Sequence, residues 1–345
     1  MTATGAVAFV TAWTPWPPGL VILALVVAPY LLWWRQARAR GVVWSGWRAI
    51  LYLALGTGTL AYSVCGPLHV LRDQVYWVGA LQVGVLSCVT PAGLALGDPL
   101  RLRALSRGRT AVAIPRGVLG GVLRVLMFPA VSSMLAIGSI TVVFFTGYFE
   151  ASTRSVPLEV VLVVHLVGTG LLFVLPLLVP ELLPGWASPG VRALMAFADG
   201  LFDAVPGIAL MSSGTLLAPG YPGFNGPAAP TDLLMEQHLG GGVLLAVSEV
   251  VGLPVLAAVL LEWVRADRRE AAVIDTALDR RVVEPGLPAS EPDADELWWR
   301  SDPRFADRWG SNNARTTRPN RAAADQVRRN GPDARPDPPD PQNAV

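Results

Sequence analysis

Lysine is absent from this chain of 345 residues: all 27 basic side chains are arginine, a bias that fits a GC-rich coding sequence and carries no mechanism. Charge of either sign is scarce. Only 15% of residues are charged against 52% hydrophobic, and mean hydropathy is +0.45, which excludes a soluble domain of this size and implies a polytopic membrane protein. The net charge of +1 points to no nucleic acid and no acidic substrate. The two cysteines, Cys65 and Cys88, form no CxxC, so neither a zinc site of ordinary spacing nor a disulfide framework is indicated. There is no nucleophile elbow, Walker loop, dinucleotide fingerprint or HExxH pair, which argues against an enzyme. Of the three histidines only His165 lies deep in an apolar run, and a b-type haem would ordinarily want a second intramembrane ligand.

What the chain does have is long apolar runs. Seven of them, near residues 18–35, 48–66, 75–97, 122–146, 157–179, 191–213 and 239–263, are long enough to cross a core of about 30 Å. The expected fold is all-α: a membrane bundle of seven transmembrane helices. The leading MTATGAVAFVTAWTPWPPG has no basic n-region, so the first run reads as a retained helix. Arginines follow the first run (Arg35, Arg38, Arg40), the third (Arg101, Arg103, Arg107, Arg109, Arg116) and the seventh (Arg265, Arg268, Arg269). By the positive-inside bias those loops are cytoplasmic, which puts the N-terminus outside and the C-terminus inside. The expected organisation is an extracytoplasmic segment 1–17, a transmembrane domain 18–265, a charged cytoplasmic helix 266–281 and a disordered tail 282–345 rich in Pro, Asp and Arg. Within the tail, ELWWRSDPRFADRW at 296–309 reads either as a docking or interfacial motif or as a merely sticky stretch.

Ionisable groups inside a span cost about 2.5–3.5 kcal/mol each, so each needs a partner or a purpose. His165 and Glu159 fall on the fifth run, Asp199 and Asp203 on the sixth, Glu249 on the seventh and the amide Gln82 on the third. At about 1.5 Å per residue, Gln82, His165, Asp203 and Glu249 each fall about 10–15 Å below the outer surface. Two readings follow: a shared pocket for a cation, metal or proton, or interhelical hydrogen bonds that fix packing. A second group, Cys65, His69, Met235 and His238, gathers copper-type donors at the outer rim without any metal-motif spacing. Pro129, Pro176, Pro206 and Pro254 fall within runs, where they can kink helices.

Five stretches, QVGVLSCVTPAGLALGDPL (82–100), GYFEASTRSVPLEVVLVVHLVGTGLLFVLPLL (147–178), FDAVPGIALMSS (202–213), EQHLGGGVLLAVSEVVGLP (236–254) and DRREAAVIDTALDRR (267–281), resemble in order and spacing the CtaG-like family of cytochrome c oxidase assembly proteins. The resemblance implies a seven-span protein of a bacterial plasma membrane, with oxidase subunits as partners and a part in copper supply to the oxidase. The resemblance places family histidines at the positions of Gly79, Val83, Val156, Glu159 and Asp203 here, while His165 keeps its family identity; Glu249 stands where the family has a Gly-Glu or similar pair, and His238 where glutamine is usual. His165 thus looks like the survivor of a histidine-rich site. One imidazole does not hold copper alone, since two to four donors are normally required. The expected function is an integral membrane assembly factor for cytochrome c oxidase with a role in copper delivery; the alternatives are a small-ion or proton permease and a metal-free scaffold with a vestigial site.

Overall fold

The computed structural model describes residues 3–110, 112, 117–179, 182, 189–225 and 229–283, and among these the regular structure is entirely helical. The tail from 284, with its tryptophan-rich island, lies outside the described residues; 282 and 283, expected in the tail, are helical. In chain order the helices are α1 (Ala3–Thr11), α2 (Pro17–Ala39), α3 (Gly46–Leu71), α4 (Tyr76–Ser106), α5 (Val118–Leu126), α6 (Pro129–Phe145), α7 (Tyr148–Arg154), α8 (Val156–Leu178), α9 (Pro189–Ser212) and α10 (Leu233–Val283).

Proline opens many of these elements. It occupies the first turn of α2, α6 and α8 and restarts α3 at Pro67 and α4 at Pro99, positions where its missing N–H costs nothing and its fixed φ is already helical. Pro176, Pro206 and Pro254 lie inside α8, α9 and α10, as the sequence predicts. Pro129 does more than kink a span. The apolar run 122–146, expected as one span that this proline can kink, is a pair of helices bent by 72°. Phe128, immediately before the proline, is extended at φ −65° and ψ 126°, because the proline ring disfavours helical backbone at the preceding residue.

Five helices, α2, α3, α4, α8 and α10, are long and apolar enough to cross a membrane, or six if the bent pair counts as one span. The helix α9 adds 24 residues, about 36 Å at 1.5 Å per residue. The charged segment 266–281 continues α10 without a break.

Burial shows which helix is central. In α4, 72% of the most apolar window is buried, against 11% in both α2 and α10. Its place is set by small residues: a Cβ on Gly93 would strike the backbone of Leu55 and Gly56 in α3, and one on Gly170 of α8 would strike the Ser87 carbonyl and the Pro91 ring. Both α3 and α4 carry a π-helical stretch beside these crossings, Leu51–Gly58 and Val85–Val89. Thr59 and Thr90 hydroxyls meet at 2.9 Å across the same seam, so a polar pair is satisfied between helices that lipid tails cannot satisfy.

Candidate functional site: a buried histidine–arginine–glutamate group

At one end of the bundle α3 turns into α4. The helix is interrupted at Cys65 and Gly66, and Pro67 restarts it as the short turn Pro67–Leu71, which delivers His69 and, just beyond it, Arg72. Facing them, Ser155 is extended and α8 begins, placing Glu159 in its first turn, where the positive end of the helix dipole favours a carboxylate. Arg72 Nη1 donates to Glu159 Oε1 at 3.0 Å and Nη2 donates to Ser152 Oγ of α7 at 2.7 Å. His69 Nδ1 meets the same Glu159 oxygen at 2.9 Å; a carboxylate only accepts, so Nδ1 carries the proton in this contact. Arg72 is 1% exposed and Glu159 8%, so the pair is removed from water and depends on its own geometry. The Trp16 ring lies 5.1 Å from the His69 ring and closes the group from the α2 side. Asp73 Oδ1 stands 3.5 Å from Arg72 Nε; burial raises its carboxyl above the usual range, and the guanidinium opposes that shift.

A cap covers this end. Tyr221, in the loop before α10, stacks on Phe149 with ring centroids 5.5 Å apart, meets Tyr76 edge-on at 5.2 Å, and donates its hydroxyl to the Val75 carbonyl at 3.2 Å. Gly220 N donates to Glu150 Oε2 at 3.0 Å, and Arg154 donates to the Gly220 carbonyl. From α10, Gln237 accepts from Leu217 N at 2.8 Å and donates to the Thr215 carbonyl at 3.1 Å. The loop is therefore tied to α4, α7 and α10 at once.

A family model described as cytochrome c oxidase caa3 assembly factor matches residues 28–266, about two thirds of the chain and all of α3 to α9. The chain belongs to this family. It is also 28% identical over 279 residues to an uncharacterized protein of Mycobacterium bovis and to one of Mycobacterium tuberculosis, and 27% identical over 274 residues to one of Mycobacterium leprae. Each alignment covers 75% of this chain and only 40% of the relative. No solved structure matches.

For this member of the assembly-factor family the described residues singled out in the sequence meet different surroundings. Gln82 is 1% exposed and donates to the Ser63 carbonyl at 2.6 Å, which is interhelical packing between α4 and α3. His165 is half-buried, its ring 6.1 Å from that of Tyr148. Glu249 lies on an exposed face of α10, and the side chain of Asp203 is outside the described residues. At the rim, His69 joins Glu159, the Cys65 thiol is 4.0 Å from the Trp16 carbonyl, Met235 is 53% exposed, and His238 Nε2 donates to the Ser213 carbonyl at 3.0 Å. Among the described residues no three His, Cys, Asp or Glu side chains are grouped to hold a metal ion. The donor set described does not fit copper: the His69–Glu159 pair already contains a cation, the Arg72 guanidinium, on its shared oxygen.

Sequence reasoning paired neither His69 with Glu159 nor either with Arg72. One signal was available: Arg72 is an isolated arginine in a loop that the positive-inside bias leaves poor in basic residues, and such a charge wants a buried partner.

Proposed function

We propose that this protein is an integral membrane assembly factor for cytochrome c oxidase, acting by contact with oxidase subunits in a bacterial plasma membrane, in a non-catalytic role. The observation that carries the reading is the family match over 28–266, which spans the apolar helices and the His69–Arg72–Glu159 group together. In this reading α9 also crosses the membrane, giving seven spans with the N-terminus outside. The capped end then faces outward, and the arginine-rich end faces the cytoplasm. The capped end supplies a rigid, ordered surface, and the buried ion group holds the starts of α4 and α8 in fixed relation beneath it. Copper delivery is not needed by this mechanism, and nothing is routed through a metal.

The test is deletion of the gene followed by measurement of cytochrome c oxidase activity and of assembled oxidase subunits in membranes. Loss of assembled oxidase, restored by the wild-type chain, is the expected result. Normal oxidase in the deletion strain overturns the proposal. Metal analysis of the purified full chain separates the contact mechanism from copper carriage: stoichiometric copper overturns the metal-free part and leaves the assembly role standing.

A further inference from the structure

The opposite end of the bundle carries a charged surface that the assembly role does not use. Arg35 and Arg38 lie on the last turns of α2 with Arg40 just after it, and Arg101 and Arg103 lie on the Pro99–Ser106 turn of α4 with Arg107 and Arg109 following. All seven are exposed. The two segments pack against each other and share one apolar cluster, in which Ala37 of α2 and Leu102 of α4 are buried with Trp33, Trp34 and Trp44 around them. Across residues 31–60 and 97–110 the one acidic side chain is Asp98. It is already engaged: held at φ 49°, it takes Arg48 Nη1 at 2.9 Å and caps the following turn at Arg101 N. Among the described residues none of the seven exposed arginines makes an ion pair.

Aromatic and apolar groups are interleaved with this charge. The Arg48 guanidinium sits 5.3 Å over the Trp44 ring and Arg103 sits 5.7 Å over Trp33, so two cations are already stacked on indoles. Val43, in the short connection between α2 and α3, is 95% exposed, and Trp47, in the first turn of α3, is 66% exposed. Indole beside uncompensated arginine, at the ends of apolar helices, matches the boundary where headgroups meet acyl chains.

We propose that this end of the bundle is a binding surface for anionic phospholipid, with the free guanidiniums on headgroup phosphates and Trp47 and Val43 in the acyl boundary. A soluble phosphate would answer the charge and leave the indole and valine in water; a bilayer answers both. The Arg48–Asp98 pair and the tryptophan platform hold the two arginine segments side by side, so that charge from α2 and α4 is presented as one patch.

The experiment uses the full chain purified in a nonionic detergent, with phosphatidylglycerol or phosphatidylcholine titrated into the micelles and binding followed by native mass spectrometry and by the melting midpoint. The wild type is expected to bind phosphatidylglycerol about tenfold or more tightly than phosphatidylcholine, with the preference shrinking in 0.5 M salt, about the level at which screening shortens to a few ångströms. Arg38→Gln with Arg40→Gln, Arg101→Gln and Arg107→Gln should abolish the preference while the melting midpoint without lipid stays in place. Should that variant not fold, Arg38→Gln alone and Arg101→Gln alone should each reduce the preference several-fold. Equal binding of the two lipids by wild type overturns the proposal and leaves the patch to an acidic protein partner. A preference unchanged in the variants overturns it as well, since the lipid then binds elsewhere. Full competition by inorganic phosphate at the same concentration assigns the surface to a soluble anion and also overturns it.

Discussion

The two ends of this bundle treat arginine in opposite ways. At the capped end Arg72 is removed from water, and its guanidinium is divided among Glu159, Ser152 and Asp73. At the other end seven arginines stand in the open and one acid serves Arg48. A buried charge is held by geometry and fails abruptly when a partner is lost, whereas an exposed one is screened, interchangeable and available. The first end is fixed in shape, whereas the second presents charge that, among the described residues, no acid compensates.

The sharpest way to break this contrast is at the buried group. Glu159→Ala leaves the Arg72 charge uncompensated and should cost about 3–5 kcal/mol, seen as a large fall in the detergent melting midpoint; Arg72→Met combined with Glu159→Leu should recover much of it. Next in size, Gly170→Leu forces a side chain onto the Ser87 carbonyl and Pro91 and should cost about 1–3 kcal/mol by overpacking, with loss of folded yield as the readout. Tyr221→Phe removes the hydroxyl that reaches Val75 and keeps the ring stack, so a loss of about 0.5–1.5 kcal/mol is expected, together with faster hydrogen exchange confined to residues 213–225. Smallest should be Arg48→Gln. That pair is 37% and 17% exposed at its two side chains, and its removal should cost less than about 1 kcal/mol and fade further in salt. If Arg48→Gln proved as damaging as Glu159→Ala, the distinction between the two ends would fail.

Much of the fold was legible because apolar length and proline position are local properties. The runs at 18–35, 48–66, 75–97, 157–179 and 239–263 coincide with long apolar helices, and the prolines at 176, 206 and 254 lie inside helices as read. The break at Phe128–Pro129 was also encoded, since a residue before proline resists helical backbone; the proline was read as a possible kink, and hydropathy could not say that it would part the run into two helices. The ion group was legible only in pieces. His69 and Glu159 are 90 positions apart, and whether two helices turn those faces toward each other depends on rotations about their axes that one sequence does not specify. The same ignorance of rotation made equal depth suggest a shared pocket for Gln82 and Glu249, of which one is buried against Ser63 and the other exposed on α10.

The crossings at Gly93 and Gly170 have a consequence for how deep each helix sits. Backbones can touch there only while glycine faces its neighbour, and a slip of α3 by one turn, about 5.4 Å, would change which residues oppose Gly93. The seam therefore acts as a vernier: it reads the vertical position of α3 and α8 against α4 and admits one setting. Because His69 lies on the last turn of α3 with Arg72 just after it while Glu159 begins α8, that setting bears on whether the buried ions come within reach of one another.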